Sequence, residues 1–124
     1  MRLLLDTHVV LSWLLDDGRL GARAARELED PSNQLLVSAV VVWEVAIKRS
    51  LGKLQVPMTF FPDVLESETA KLPISLEHAA GVEGLPHHHG DPFDRLLIAQ
   101  AMVEAIPILS IDPAFDAYPV TRLW

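Results

Sequence analysis

"RLLLDTHVVLSWLLDD", residues 2–17, changes its apolar period in the middle, and that change decides the fold. Residues 2–5 form a short, continuously apolar run, the pattern of a parallel strand buried on both faces. From Thr7 onward the apolar residues fall at helical spacing, and the pattern stops before Gly18. A buried strand feeding straight into a helix is the opening of a strand–helix–strand unit. The alternation continues along the chain. "GARAARELED" (21–30) predicts a polar-faced helix stopped by Pro31, "QLLVSA" (34–39) a second strand, "VVVWEVAIKRSLGK" (40–53) a long helix and "FPDVLESETAK" (61–71) another. "LPIS" (72–75) reads as a short strand, "LEHAAGVEGL" (76–85) as a short helix and "DPFDRLLIAQAMVEA" (91–105) as a strong one. "IPILSI" (106–111) and "PVTRLW" (119–124) read as closing strands. Strands separated by helices in this order predict an α/β fold with a mostly parallel central sheet and helices on both faces.

Composition sets the bounds. At 124 residues, 50% hydrophobic and 22% charged, the chain can bury one sizeable core and is too short for two ordinary domains, so a single domain over 1–124 is expected. The absence of cysteine excludes a disulfide framework and a thiolate metal site, and suits a reducing cytosol. Asp6 and His8 interrupt the leucine-rich start, and no apolar run reaches membrane-spanning length. The expectation is a soluble, cytoplasmic protein with no membrane partner. The net charge of −7 argues against simple binding along a phosphate backbone. It fits carboxylates that hold metal cations, or a partner that is itself basic.

The acidic residues have addresses on this scaffold. Asp6 follows the first strand, Glu44 lies in the helix after the second, Asp94 sits in the first turn of the "DPFDR" helix, and Asp112 follows "PILSI". In a parallel sheet the carboxyl ends of the strands and the following helix N-termini share one edge, where open α/β folds place their sites, so these four acids can converge. Each has a plainer reading. Asp6 can cap the helix that starts near Thr7, while Asp91 and Asp112, both followed by proline, have the pattern of N-caps with Pro at the first helical position. Glu44 stands four residues before Lys48 and can form an ordinary surface pair. Yet Val40, Val41, Ile47 and Leu51 form an apolar stripe around it, where a carboxylate is costly without compensation. Asp94 shares a stripe with Leu97, Ile98, Ala101 and Ala105.

Convergence has an energetic consequence. Two carboxylates about 5 Å apart repel by roughly 3 kcal/mol at an effective dielectric near 20, so four together must protonate in part or take up a cation. Oxygen-only ligands favour Mg²⁺ or Mn²⁺ over zinc. Such ions orient a water, lower its pKa and neutralise charge growing on a phosphodiester. The pattern points to phosphate chemistry.

Four segments in this order, "LLLDTHVVLSWL" (3–14), "SAVVVWEVAIKRSLGKL" (38–54), "HHHGDPFDRLLIAQA" (87–101) and "PILSIDPAFDAY" (107–118), resemble the PIN-domain family, specifically the VapC-like toxins of VapBC toxin–antitoxin operons. The resemblance runs through essentially the whole chain. It implies a three-layer α/β sandwich and a Mg²⁺- or Mn²⁺-dependent endoribonuclease, commonly a homodimer, that cuts RNA and is silenced by a cognate antitoxin. By motif position the family's acidic quartet falls on Asp6, Glu44, Asp94 and Asp112. Asp91 matches the additional aspartate of "DPFD", which caps the helix or holds water at a second metal. Thr7 and Ser110 match small hydroxyl positions near the site, and Arg95 follows the third acid as in relatives. "VVVWE" departs from the more usual serine-containing run before the tryptophan, which removes a polar contact there and none of the acids.

Several residues remain open. His87, His88 and His89 read as solvated loop histidines or as contacts to RNA phosphate from one of them. A soft-metal site is the weaker reading, because adjacent residues rarely all point at one ion. His8 reads as packed or as a support to the acids, and Trp13, Trp43 and Phe93 read as core. Lys48, Arg49, Lys53 and Arg95 are the cations clustered near the inferred site. A different class of protein, a non-catalytic receiver-like Mg²⁺-binding signalling or interaction module, has similar length and α/β order. Its chemistry needs a lysine after the last strand, where "PVTRLW" offers only Arg122.

Overall fold

The computed structural model describes residues 1–124. Five strands and six helices follow one another: β1 (Arg2–Leu5), α1 (Thr7–Leu15), α2 (Ala22–Glu29), β2 (Gln34–Ser38), α3 (Ala39–Ser50), α4 (Phe60–Glu66), β3 (Ala70–Leu72), α5 (Leu76–Gly81), α6 (Pro92–Glu104), β4 (Ile108–Leu109) and β5 (Arg122–Leu123). Short 3₁₀ turns lie at Val82–Gly84 and Pro113–Ala117. The sheet order is β3-β2-β1-β4-β5, and every pairing is parallel. The chain steps outward from β1 to β2 to β3, then returns across β1 to β4 and β5. Right-handed crossovers running in two opposite directions place helices on both faces, which gives the three layers. β1 is central, and its Leu3, Leu4 and Leu5 are fully buried within a core of 27 apolar residues.

The segment 61–71 is not one helix. α4 ends at Glu66, and residues 70–72 form β3, paired with β2 through Leu36–Ala70, Val37–Lys71 and Ser38–Leu72. Ser67 explains the break: its hydroxyl donates to the Val64 carbonyl at 2.7 Å and meets the Thr69 hydroxyl at 2.8 Å, taking the backbone out of the helix. The strand expected at 72–75 therefore begins two residues earlier and stops at Leu72, because Pro73 has no N–H for the ladder.

Trp43 is not a core residue; it is 47% exposed. The face of α3 that packs inward carries Val40, Val41, Glu44 and Val45, and Trp43 lies one residue, about 100°, round the helix from Glu44. It meets Phe93 edge to face, with ring centres 5.0 Å apart. Trp13 and Phe93 are half-buried against the core, as expected. His8 is exposed on α1 rather than packed.

Candidate metal centre

β1 and β4 lie side by side, yet the chain leaves them in opposite directions. Their carboxyl ends therefore open a crevice, the place where open α/β sheets bind ligands. Asp6 leaves β1 there, with its amide donating to the Leu109 carbonyl at 3.2 Å. Ser110 and Asp112 leave β4 beside it. α3 and α6 start at the same edge and supply Glu44 and Asp94.

The electrostatics record how closely the acids stand. Burial raises the Asp6 carboxyl above its ordinary range and the charge of Asp112 adds to the rise, while the Ser110 hydroxyl, the Val9 amide and His8 oppose it. The Asp94 carboxyl is pushed up to about 6, first by burial and then by the charge of Asp91, with Glu44 and Asp6 adding to the rise. His89 acts in the other direction on Asp94. The four sequence candidates thus stand in one electrostatic cluster, with Asp91 the strongest neighbouring charge on Asp94.

Several of these acids are also helix caps, so capping and ligation are not exclusive here. Asp6 Oδ1 accepts the Val9 amide at 2.8 Å. Asp91 Oδ1 accepts the amides of Phe93 and Asp94 at 2.8 and 3.0 Å, and Asp112 Oδ1 accepts the Ala114 amide at 2.9 Å. Each cap uses one oxygen and leaves the other carboxylate oxygen uncapped. Ser110 is fully buried and its hydroxyl accepts the Asp112 amide at 3.0 Å, fixing the turn after β4.

Glu44 is 4% exposed. Thr7 donates to its Oε1 at 2.6 Å and Lys48 donates to its Oε2. The pair with Lys48 is real but not a surface pair, and its hydrogen bond holds the Lys48 ammonium above the usual lysine range. Arg95 does not turn to the acids. Its guanidinium is buried and donates to the carbonyls of Val82, Leu85, Pro86 and His89 and to the Tyr118 hydroxyl. Its place is to clamp the 82–89 segment, since a buried guanidinium takes acceptors wherever it finds them. Arg49 likewise binds the Pro57 carbonyl. Of the cations clustered in the sequence, Lys48 is seen bonded to an acid.

The residue that sequence reasoning did not single out is His89. His87 and His88 are exposed, and His88 rests edge-on against Tyr118. His89 turns inward, with Nε2 3.0 Å from Asp94 Oδ2 and 3.6 Å from Asp112 Oδ2. The available signal was its position two residues before the capping Asp91, whose amide engages the ring. The hard oxygen donors fit a divalent cation such as Mg²⁺ or Mn²⁺. One ligand atom each of His89, Asp94 and Asp112 lies within 4.8 Å of the others, and burial together with neighbouring carboxylates holds the Asp94 and Asp6 carboxyls above their ordinary range.

A family model described as the PIN domain matches residues 3–120. Among curated proteins no sequence gives a significant match. Solved structures share the fold at low identity. VapBC2 from Rickettsia felis, bound to a DNA fragment from its promoter, is 15% identical over 99% of this chain and 98% of its own, with a TM-score of 0.71. FitAcB from Neisseria gonorrhoeae is 19% identical over 98% and 96%, with a TM-score of 0.70. DNA-bound VapBC from Salmonella typhimurium is 14% identical over 99% and 97%, with a TM-score of 0.66.

Proposed function

The chain belongs to the PIN domain family, and from that premise we propose that it is a Mg²⁺- or Mn²⁺-dependent endoribonuclease, the toxin of a toxin–antitoxin pair. The observation that carries the reading is the convergence of Asp6, Glu44, Asp94 and Asp112 at the crevice between β1 and β4, with the Asp94 carboxyl pushed up to about 6. Asp6, Glu44, Asp94 and Asp112 would hold the cation, with Asp91 available through water. When bound, it supplies an activated water and neutralises charge on the scissile phosphate. The chain's own groups do the positioning. Thr7 and Lys48 fix both oxygens of Glu44, and the Val9 and Ala114 amides fix one oxygen each of Asp6 and Asp112. Hydrogen-bonded partners of this kind orient the carboxylates that would hold the cation.

The reading includes three partners: an RNA substrate, a second copy of the chain in a homodimer, and a cognate antitoxin, the last supported by the VapBC complexes that share the fold. An antitoxin side chain that silences this site would carry Arg or Lys, because charge-assisted hydrogen bonds to the carboxylates replace what a cation gives. A cytoplasmic location suits such a pair. No helix is long and apolar enough to cross a membrane. A receiver-like module draws no support from the end of the chain, where Arg122 is tied to Asp116 and to the Ser110 carbonyl. Digestion of structured RNAs by the purified protein, with Mg²⁺ and with EDTA, tests the proposal. Cleavage of exposed loops that stops on chelation is the expected result.

A further inference from the structure

The geometry of His89 tells which ring nitrogen carries hydrogen. The Asp91 amide donates to Nδ1 at 3.2 Å. A ring nitrogen that accepts a hydrogen bond holds no proton, so the imidazole carries its hydrogen on Nε2. Nε2 is thus a donor. It is sealed from solvent and, although 3.0 Å from Asp94 and 3.6 Å from Asp112, it forms a well-aligned hydrogen bond with neither. Buried donors without an acceptor are rare and costly in folded proteins.

The ring is not there by slack packing. The His89 amide donates to the Tyr118 hydroxyl at 2.8 Å, and that hydroxyl donates to the Pro86 carbonyl at 2.9 Å. Arg95 clamps the carbonyls of Pro86, Leu85 and Val82 at 2.8, 3.2 and 3.3 Å. The ring also lies against Phe115, with centres 6.1 Å apart. The His89 amide, the Tyr118 hydroxyl and both terminal nitrogens of Arg95 are hydrogen-bonded in this frame, and it holds one N–H without an aligned acceptor among the acids. While Nε2 carries that hydrogen it has no lone pair to give a metal.

We propose that His89 is a further catalytic residue of this centre: its Nε2–H binds a non-bridging oxygen of the scissile phosphate. The inference rests on the nuclease reading above. An orphan donor in an acidic pocket has no use for a cation, but it complements the oxyanion that accompanies one. A rigid N–H placed where negative charge grows acts mainly on the transition state. No proton changes hands in this role.

The test uses His89→Ala and His89→Gln, whose side-chain amide reaches about as far as Nε2 and keeps an N–H. Three quantities are read: Mn²⁺ affinity by calorimetry, affinity of the Mn²⁺-loaded protein for uridine 5′-monophosphate, and kcat for RNA cleavage. His89→Ala should lower kcat roughly 10²–10³-fold and weaken the nucleotide about tenfold, with Mn²⁺ affinity held within about threefold of wild type. His89→Gln should recover part of both losses. A His89→Ala protein that loses Mn²⁺ affinity while nucleotide affinity holds would make His89 a ligand and overturn the proposal. Unchanged kcat and nucleotide affinity would overturn it too. Should wild type cleave no RNA, the nuclease reading fails, and the nucleotide titration still decides whether His89 holds phosphate.

Discussion

Asp94→Asn should make the metal-free protein more stable at neutral pH, although it removes a charge from the heart of the site. The Asp94 carboxyl is raised from its ordinary 3.8 to about 6 by burial and by Asp91, Glu44 and Asp6. An acid whose folded pKa lies above its unfolded value favours folding below the unfolded pKa, and that contribution is lost as pH rises through the folded one. The window here runs from about pH 4 to about pH 6. At about 1.4 kcal/mol per pKa unit the full shift corresponds to about 3 kcal/mol. The side chain keeps 23% of its surface, and solvent screening there brings the figure to roughly 1–2 kcal/mol. Asn is neutral and nearly isosteric, so at pH 7.5 in EDTA its Tm should lie roughly 3–8 °C above wild type. At pH 4 the gap should close. Excess Mg²⁺ should reverse the order, because wild type gains stability as the logarithm of metal concentration and the variant gains less. Thermal melts at both pH values, with and without Mg²⁺, make the comparison. An Asn variant less stable than wild type in EDTA at pH 7.5, or a gap that ignores pH, would refute the reasoning.

Asp6→Asn keeps the cap on the Val9 amide, since Asn and Asp cap about equally, so metal-free stability should match or exceed wild type; Asp6→Ala should cost roughly 1 kcal/mol. Both should lose the Mg²⁺-induced rise in Tm, which melts across a Mg²⁺ titration will show. Arg95→Leu removes the donors that satisfy the carbonyls of Val82, Leu85 and Pro86 and should cost about 3 kcal/mol or more. Its urea midpoint should fall while the slope stays constant.

The alternation of strands and helices was legible because β1 and α6 each carry a strong local pattern, and Asp6, Glu44, Asp94 and Asp112 were legible because topology alone sends them to one sheet edge. β3 was not, because Ala70–Leu72 has no period of its own and becomes a strand only by pairing with β2. Trp43 was misread because an aromatic on an apolar helix looks like core until the inward face is known. His89 could not be told from His87 and His88 by composition. The distinction comes from the Asp91 amide at its Nδ1 and the Tyr118 hydroxyl at its backbone, contacts set by the folded loop. Arg95 showed the reverse: its position beside Asp94 suggested the site, but the carbonyls of the 82–89 segment claim its donors.

RNA cleavage by wild type and Glu44→Gln, followed across a Mg²⁺ titration and in EDTA, tests the central claim most directly. Gln preserves the shape and an acceptor for Thr7 while removing the charge. Wild-type cleavage should rise with Mg²⁺ and vanish on chelation, and Glu44→Gln should cleave roughly a hundredfold slower or worse at any Mg²⁺ concentration. Cleavage that persists in EDTA, or a Gln variant that cuts at the wild-type rate with an unchanged Mg²⁺ response, would contradict the account.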